Sequence, residues 1–115
     1  MDFQTACQLL VQQTLPESDE PDSMLNRLRR GLPPVPGQAT ALLLALKVVQ
    51  ASLQGEPQID RKLAYALFLL TYEGRNLFEA GCEARVVWPP LLDEDLERIA
   101  IAAYKIFVDE PVLSE

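Results

Sequence analysis

The residues best suited to chemistry lie on the fourth predicted helix, residues 61–80, where Glu73 stands between Tyr72 and Arg75. Carboxylates and tyrosines catalyse proton transfer when burial adjusts their pKa values. A structural salt bridge explains the position of Glu73 more simply, because a carboxylate at the edge of an apolar face needs a cationic partner. The candidate partners on other helices are Arg27, Arg30 and Arg98. We therefore expect a salt bridge at Glu73, with catalysis or ligand binding as the alternative.

Three aromatic side chains, Tyr65, Phe68 and Tyr72, share one side of the same helix, opposite its main apolar stripe. Core packing is the interpretation we favour, with Trp88 and the prolines that follow it seated on these rings. A protein interface is the second interpretation, since tyrosine and tryptophan are frequent hot-spot residues. A pocket for a flat ligand or cofactor is the third.

The chain has no histidine, and it has no Gly-rich phosphate loop, GxSxG motif or zinc signature. We therefore expect a non-catalytic protein without a cofactor or metal. The formal net charge of −7 disfavours nucleic acid and anionic membranes as partners, because both need a basic footprint. The longest apolar stretch, residues 39–53, is interrupted by polar residues and falls short of the ~20 residues that span a bilayer. We expect no membrane insertion.

The two cysteines, Cys7 and Cys82, have neither metal-ligand nor CxxC spacing, and the N-terminus lacks the pattern of a signal peptide. A reducing cytoplasm is the expected compartment. Cys7 falls on the apolar face of the first helix, which predicts a buried and unreactive thiol.

Hydrophobic periodicity predicts the helical scaffold that must position these side chains. The predicted helices cover residues 3–14, 23–30, 39–54 and 61–80, and a last helix begins after Asp93 and reaches residue 107. The expected N-caps are Asp2, Asp60 and Asp93, with Asp22 or Ser23 for the short helix, and the expected helix stops are Gly31, Gly55 and Gly81. The fold class is therefore all-α, a bundle of four main helices plus one short helix in a single domain over residues 1–115.

The segments between the helices differ in character. Residues 15–22 predict a mobile acidic loop, and residues 109–115 predict a flexible tail. Two proline-rich connectors, residues 31–38 and the segment after Val87, must be extended. In the first connector we expect Leu32 and Val35 to anchor onto the core, and its alternative role is a ligand for an aromatic groove on a partner.

The third predicted helix is apolar around most of its circumference, with Leu44 and Val48 on the side away from its main stripe. A helix of this kind is either wrapped by its neighbours or buried in an oligomer interface. In a chain of 115 residues four neighbours leave apolar surface uncovered, so we expect both, and a homodimer follows.

Three segments resemble a family of short all-helical proteins found in cyanobacteria. They are GLPPVPGQATALLLALKVV, ALFLLTYEGRNLFEAG and WPPLLDEDLERIA, which together span most of the chain. The family has no assigned role, although some members bear a dethiobiotin synthetase label. An ATP-dependent carboxylase of that kind needs a phosphate-binding loop, which this sequence lacks, so the resemblance implies a small phototroph protein rather than an activity.

These observations predict an adaptor or regulatory module that binds a protein partner and forms a homodimer. The alternative is a small-molecule-binding protein or enzyme that uses a carboxylate and tyrosine pocket on the fourth helix. The candidate interaction residues are Tyr65, Phe68, Tyr72, Glu73, Arg75, Trp88, Leu44 and Val48.

Overall fold

Three helices begin at N-cap side chains that the sequence predicts. The Asp2 carboxylate accepts a hydrogen bond from the Thr5 N–H at 2.7 Å, which lowers the pKa of Asp2. Ser23 accepts from the Asn26 N–H, and Asp60 accepts from the Leu63 N–H. Each cap satisfies a backbone donor that has no partner within its own helix.

The computed structural model describes residues 1–111, and all of its regular structure in that range is helical. The elements are α1 (Phe3–Thr14), α2 (Met24–Arg29), α3 (Gln38–Ser52), α4 (Arg61–Phe68), a π turn (Leu69–Glu73), α5 (Gly74–Glu83) and α6 (Leu92–Phe107). The segments α4, π turn and α5 follow one another without a break, and we call residues 61–83 the long helix. The predicted all-α fold, with four main helices and one short helix, is confirmed for the described residues.

The four main helices surround one apolar core. Helix α1 packs on α3 and α4, while α6 packs on α3 and on the π turn, and the short α2 packs on α5 and α1. The start of α6 lies at α5, where Asp93 pairs with Arg75, and its end shares a small cavity with the segment before α4, so α6 runs antiparallel to the long helix. The largest fully buried side chains are Leu10, Met24, Leu25, Leu42, Leu46, Val49, Leu67, Leu70 and Ile99.

A buried amide connects three helix ends. The Gln13 Oε1 atom accepts from the Met24 N–H at 2.8 Å and from the Gln38 Nε2 atom at 2.6 Å. The end of α1 is thereby joined to the first residues of α2 and α3. Burial makes this junction specific, because an unpaired amide in the same place would cost free energy.

The long helix extends past Gly81, so the predicted stop at that residue is wrong. Gly81 lies inside α5 and is buried beneath the Trp88 indole, where an added Cβ would overlap the ring atoms. Trp88 stacks on Phe78 and donates its Nε1 hydrogen bond to the Phe78 carbonyl at 3.0 Å. The absence of a side chain at Gly81 therefore serves close packing rather than helix termination.

The prediction that Asp93 is the N-cap of the last helix is also wrong. Helix α6 begins at Leu92, two residues before the start that an Asp93 cap implies, and Asp93 lies in its first turn. The Asp93 carboxylate accepts instead from the Arg75 guanidinium at 2.6 Å. Asp93 therefore forms an ion pair with the long helix instead of capping its own helix.

The connecting segments are tied down by polar contacts. In the acidic loop, Ser18 Oγ donates to the Gln12 carbonyl, and the Asp22 carboxylate pairs with Arg27 and Arg30. The prediction that Leu32 and Val35 anchor onto the core is wrong, because both are exposed. Their connector is held by a hydrogen bond from Arg27 Nε to the Pro33 carbonyl at 2.6 Å.

The start of the predicted tail is attached to the bundle. The Asp109 carboxylate accepts from the Gly55 N–H at 2.9 Å, and the Glu110 carbonyl accepts from the Gln50 side chain. Residues 112–115, the remainder of the predicted tail, lie outside the described residues. Across residues 1–111, no helix has both the length and the apolar content needed to cross a membrane.

The contact between Gly81 and Trp88 can be tested with two glycine-to-alanine substitutions in α5. Gly81→Ala should lower the free energy of unfolding by about 1–3 kcal/mol, because the methyl group displaces the indole. Gly74→Ala should leave it unchanged or raise it by up to about 1 kcal/mol, because a Cβ there meets Leu25 and Leu96 at an ordinary 3.7 Å. Urea unfolding followed by circular dichroism measures both, and equal stability of the two variants would contradict the packing described.

Candidate functional site

The aromatic face of the long helix, defined as Tyr65, Phe68 and Tyr72, is exposed. These side chains retain 44%, 52% and 57% of their accessible surface, and Phe68 stacks on Tyr72 with ring centroids 5.1 Å apart. Core packing is therefore excluded as their role in the monomer. Trp88 does not sit on them, because it packs on Phe78 and Gly81.

The position of the aromatic face follows from the helix periodicity. Leu63, Leu67 and Leu70 enter the core from the other side of the same helix. Tyr65, Phe68 and Tyr72 occupy the intervening positions, so they point away from α1 and the core. Burying one side of the long helix necessarily presents the aromatic side to solvent.

The π turn lies within this face. The Gly74 N–H donates to the Leu69 carbonyl, five residues back, which is the hydrogen bond of a π-helix. The Thr71 hydroxyl lies 3.1 Å from the carbonyls of Leu67 and Phe68 and donates to these acceptors. Single π turns inside α-helices occur frequently at functional sites, and this one contains Tyr72.

Helix α6 carries exposed apolar side chains of its own. Ile101 and Tyr104 are exposed on α6. The Arg75 guanidinium reaches across to Asp93 and Glu97, which sets the level of α6 against the long helix. Tyr72 lies one turn before Arg75, and Ile101 lies one turn after Glu97. Helix α6 packs against the π turn, which contains Tyr72.

Opposite charges flank the aromatic face along the long helix. Arg61 is exposed before it, and Glu79 and Glu83 are exposed after it. None of the three forms a salt bridge with any of residues 1–111. In order along the long helix, these exposed residues are therefore basic in α4, aromatic around the π turn and acidic in α5.

The predicted salt bridge of Glu73 is wrong. Arg27 and Arg30 pair with Asp22, and Arg98 pairs with Glu94 and Asp95 on its own helix. Local partners outcompete Glu73 because they are reached without bringing separate helices together. Glu73 is partly buried on the π turn, and no ion pair of the described residues includes it.

The structure also does not assemble the predicted carboxylate and tyrosine site. Tyr72 stacks on Phe68, and Arg75 is engaged by Asp93 and Glu97 and lies 5.3 Å from the centre of the Phe78 ring. No hydrogen bond among the described residues joins Glu73 to either of them. In residues 1–111 no group of three or more metal-ligating side chains is present.

Helix α3 is more thoroughly covered than its composition suggests. Leu42, Leu46 and Val49 are buried against α1 and α6, and Val48 is partly buried against the same core. Leu44 remains 51% exposed. The second predicted interaction surface therefore contains one exposed leucine rather than a continuous apolar stripe.

A groove of about 780 Å³ lies between α1 and α4 and was not predicted from the sequence. Its walls are mostly apolar and include Phe3, Cys7, Val11, Leu53 and Leu63, with Asp60 and Lys62 at the side. Burial, and secondarily the negative charge of Asp60, raises the pKa of the Cys7 thiol. The i, i+4, i+8 spacing of Phe3, Cys7 and Val11 marks this wall of α1, but only the docking of α4 makes it a groove.

The two cysteines should differ in their reaction with a maleimide at neutral pH. Cys82 is exposed and should be labelled readily, whereas Cys7 is partly buried and its raised pKa leaves less thiolate. Labelling at Cys7 should increase only as the pH rises above the ordinary thiol range. Mass spectrometry of the native protein measures each site, with the urea-unfolded protein as a control in which both react. Equal native rates would contradict the environment described for Cys7.

Comparison with known proteins provides no relative from which a function could be transferred. No family model, curated protein or solved structure matches this chain. The likeness to short cyanobacterial proteins stays a resemblance of the three segments quoted above. The function has to be argued from the surfaces of the folded chain.

Proposed function

We propose that this protein is a non-catalytic protein–protein interaction module whose binding surface is the aromatic face of the long helix. The observation that carries the proposal is the row of three aromatic side chains, each about half exposed, on one helix. Contiguous exposed apolar surface marks interaction sites in folded proteins more often than it occurs by chance. Phe68 and Tyr72 stack on each other, so part of this surface is ordered before a partner arrives.

The surroundings of the aromatic face support a protein partner rather than a nucleic acid or lipid. The chain carries a net charge of −7, and acidic residues lie at one end of the face. An amphipathic helix of a partner would fit such a surface, with its own apolar residues over the rings. We place this adaptor or regulatory role in the cytoplasm of a phototroph.

Truncating the aromatic face should weaken binding without unfolding the protein. Phe68→Ser combined with Tyr72→Ser should weaken partner binding by about 2 kcal/mol, or about 30-fold, because aromatic anchors dominate interface energies. Quantitative pull-down with the purified chain compares this variant with the original, and circular dichroism confirms that helicity is kept.

Two further variants serve as matched comparisons. Val87→Ser removes an isolated valine that is 94% exposed, and it should leave binding unchanged. Leu44→Ser examines the exposed leucine on α3. If the double variant binds as tightly as the original, or if Leu44→Ser alone abolishes binding, the aromatic face is not the binding surface.

A second candidate function, small-molecule binding, is favoured by the groove between α1 and α4. A volume of about 780 Å³ with apolar walls is in the range of ligand pockets. An apolar fluorescent probe should bind there and raise the melting temperature by mass action. Val11→Arg should abolish that shift by placing a charge in the wall, while Val87→Ser should not. A probe shift that survives Val11→Arg would remove the groove as the site.

A further inference from the structure

We propose that the partner on the aromatic face is a second copy of this chain, packed with its long helix antiparallel about a two-fold axis at the π turn. This inference rests on the proposed function, because it names the partner of the same surface. Its basis is the order of residues along the exposed side of the long helix. Arg61 precedes the aromatic face, and Glu79 and Glu83 follow it.

The spacing of these residues is symmetric about the stacked pair. Arg61 lies seven residues before Phe68, and Glu79 lies seven residues after Tyr72. Seven residues make two helical turns, or about 10 Å along the axis. A two-fold axis midway between Phe68 and Tyr72 therefore brings Arg61 to the level of the partner's Glu79 and brings Phe68 to the level of the partner's Tyr72. The surface is self-complementary, as a two-fold interface requires.

The flanking charges are available for such pairing. Arg61, Glu79 and Glu83 are exposed and form no salt bridge with residues 1–111. Glu83 lies one turn beyond Glu79 and extends the acidic end. A parallel pair would set acidic end against acidic end in a chain whose net charge is already −7. The charges thus select the antiparallel orientation.

Charge reversal tests this orientation. Arg61→Glu alone, and Glu79→Arg combined with Glu83→Arg alone, should each lower the dimer association constant on the order of tenfold, because each dimer then contains two like-charged junctions. An equimolar mixture of the two variants should form a heterodimer in which both junctions pair opposite charges. Its association constant should return to that of the original chain. Analytical ultracentrifugation at micromolar concentration measures the mass against the 12.9 kDa of one chain.

The same measurements can overturn the proposal. A strict monomer for the original chain excludes a second copy as the partner. A dimer whose association is unaffected by either reversal, or a mixture that recovers nothing, excludes the antiparallel two-fold. These residues are exposed and lie at helix surfaces, so the variants should keep the circular dichroism spectrum and melting temperature of the original.

Photo-crosslinking separates failure of this inference from failure of the proposed function. Benzoyl-phenylalanine in place of Tyr65 should crosslink two copies of the chain in cell extract. Crosslinks to other proteins alone would overturn the second-copy inference and leave the binding surface standing. The same probe in place of Val87 is the control. If neither position gives a crosslink, both proposals fail.

Discussion

The organisation of this protein depends on the burial of one side of the long helix. Leu63, Leu67 and Leu70 enter the core along that side, and Gly74 and Gly81 continue it where Leu96 and Trp88 come close. In a bundle of this size, the neighbouring helices cover only part of the surface of the long helix. The side that is not covered carries Tyr65, Phe68 and Tyr72. The proposed binding surface is therefore the side of the long helix that the core leaves uncovered.

Polar contacts make this packing specific without contributing a catalytic centre. The Gln13 amide joins the ends of three helices. The Trp88 indole donates a hydrogen bond to the Phe78 carbonyl and so attaches the segment after α5 to the long helix. The Arg75 ion pairs hold α6 at a defined level. These contacts order the scaffold, so a partner that binds the aromatic face meets side chains whose backbone is already in place.

Among the described residues, many charged groups take part in helix caps, helix-surface pairs and an ion-pair cluster around Arg75. Their arrangement explains stability and orientation, whereas the aromatic rings and the opposite charges at the two ends of the face have no role within one copy of the chain. Surface of that kind is most simply explained by a partner that it has yet to contact.

The sequence by itself determined the helices, because capping residues and hydrophobic periodicity act locally. Asp2 and Asp60 begin their helices, and the stripe through Leu63 and Leu70 is buried as its periodicity predicts. Tertiary structure alone decided the roles that depend on distant neighbours. Gly81 proved to be a packing site because Trp88 lies over it, and Glu73 lost its expected arginines to nearer carboxylates. Whether Tyr65, Phe68 and Tyr72 lie inside or outside was likewise settled by the bundle, since periodicity shows that two sides differ but not which one finds neighbours.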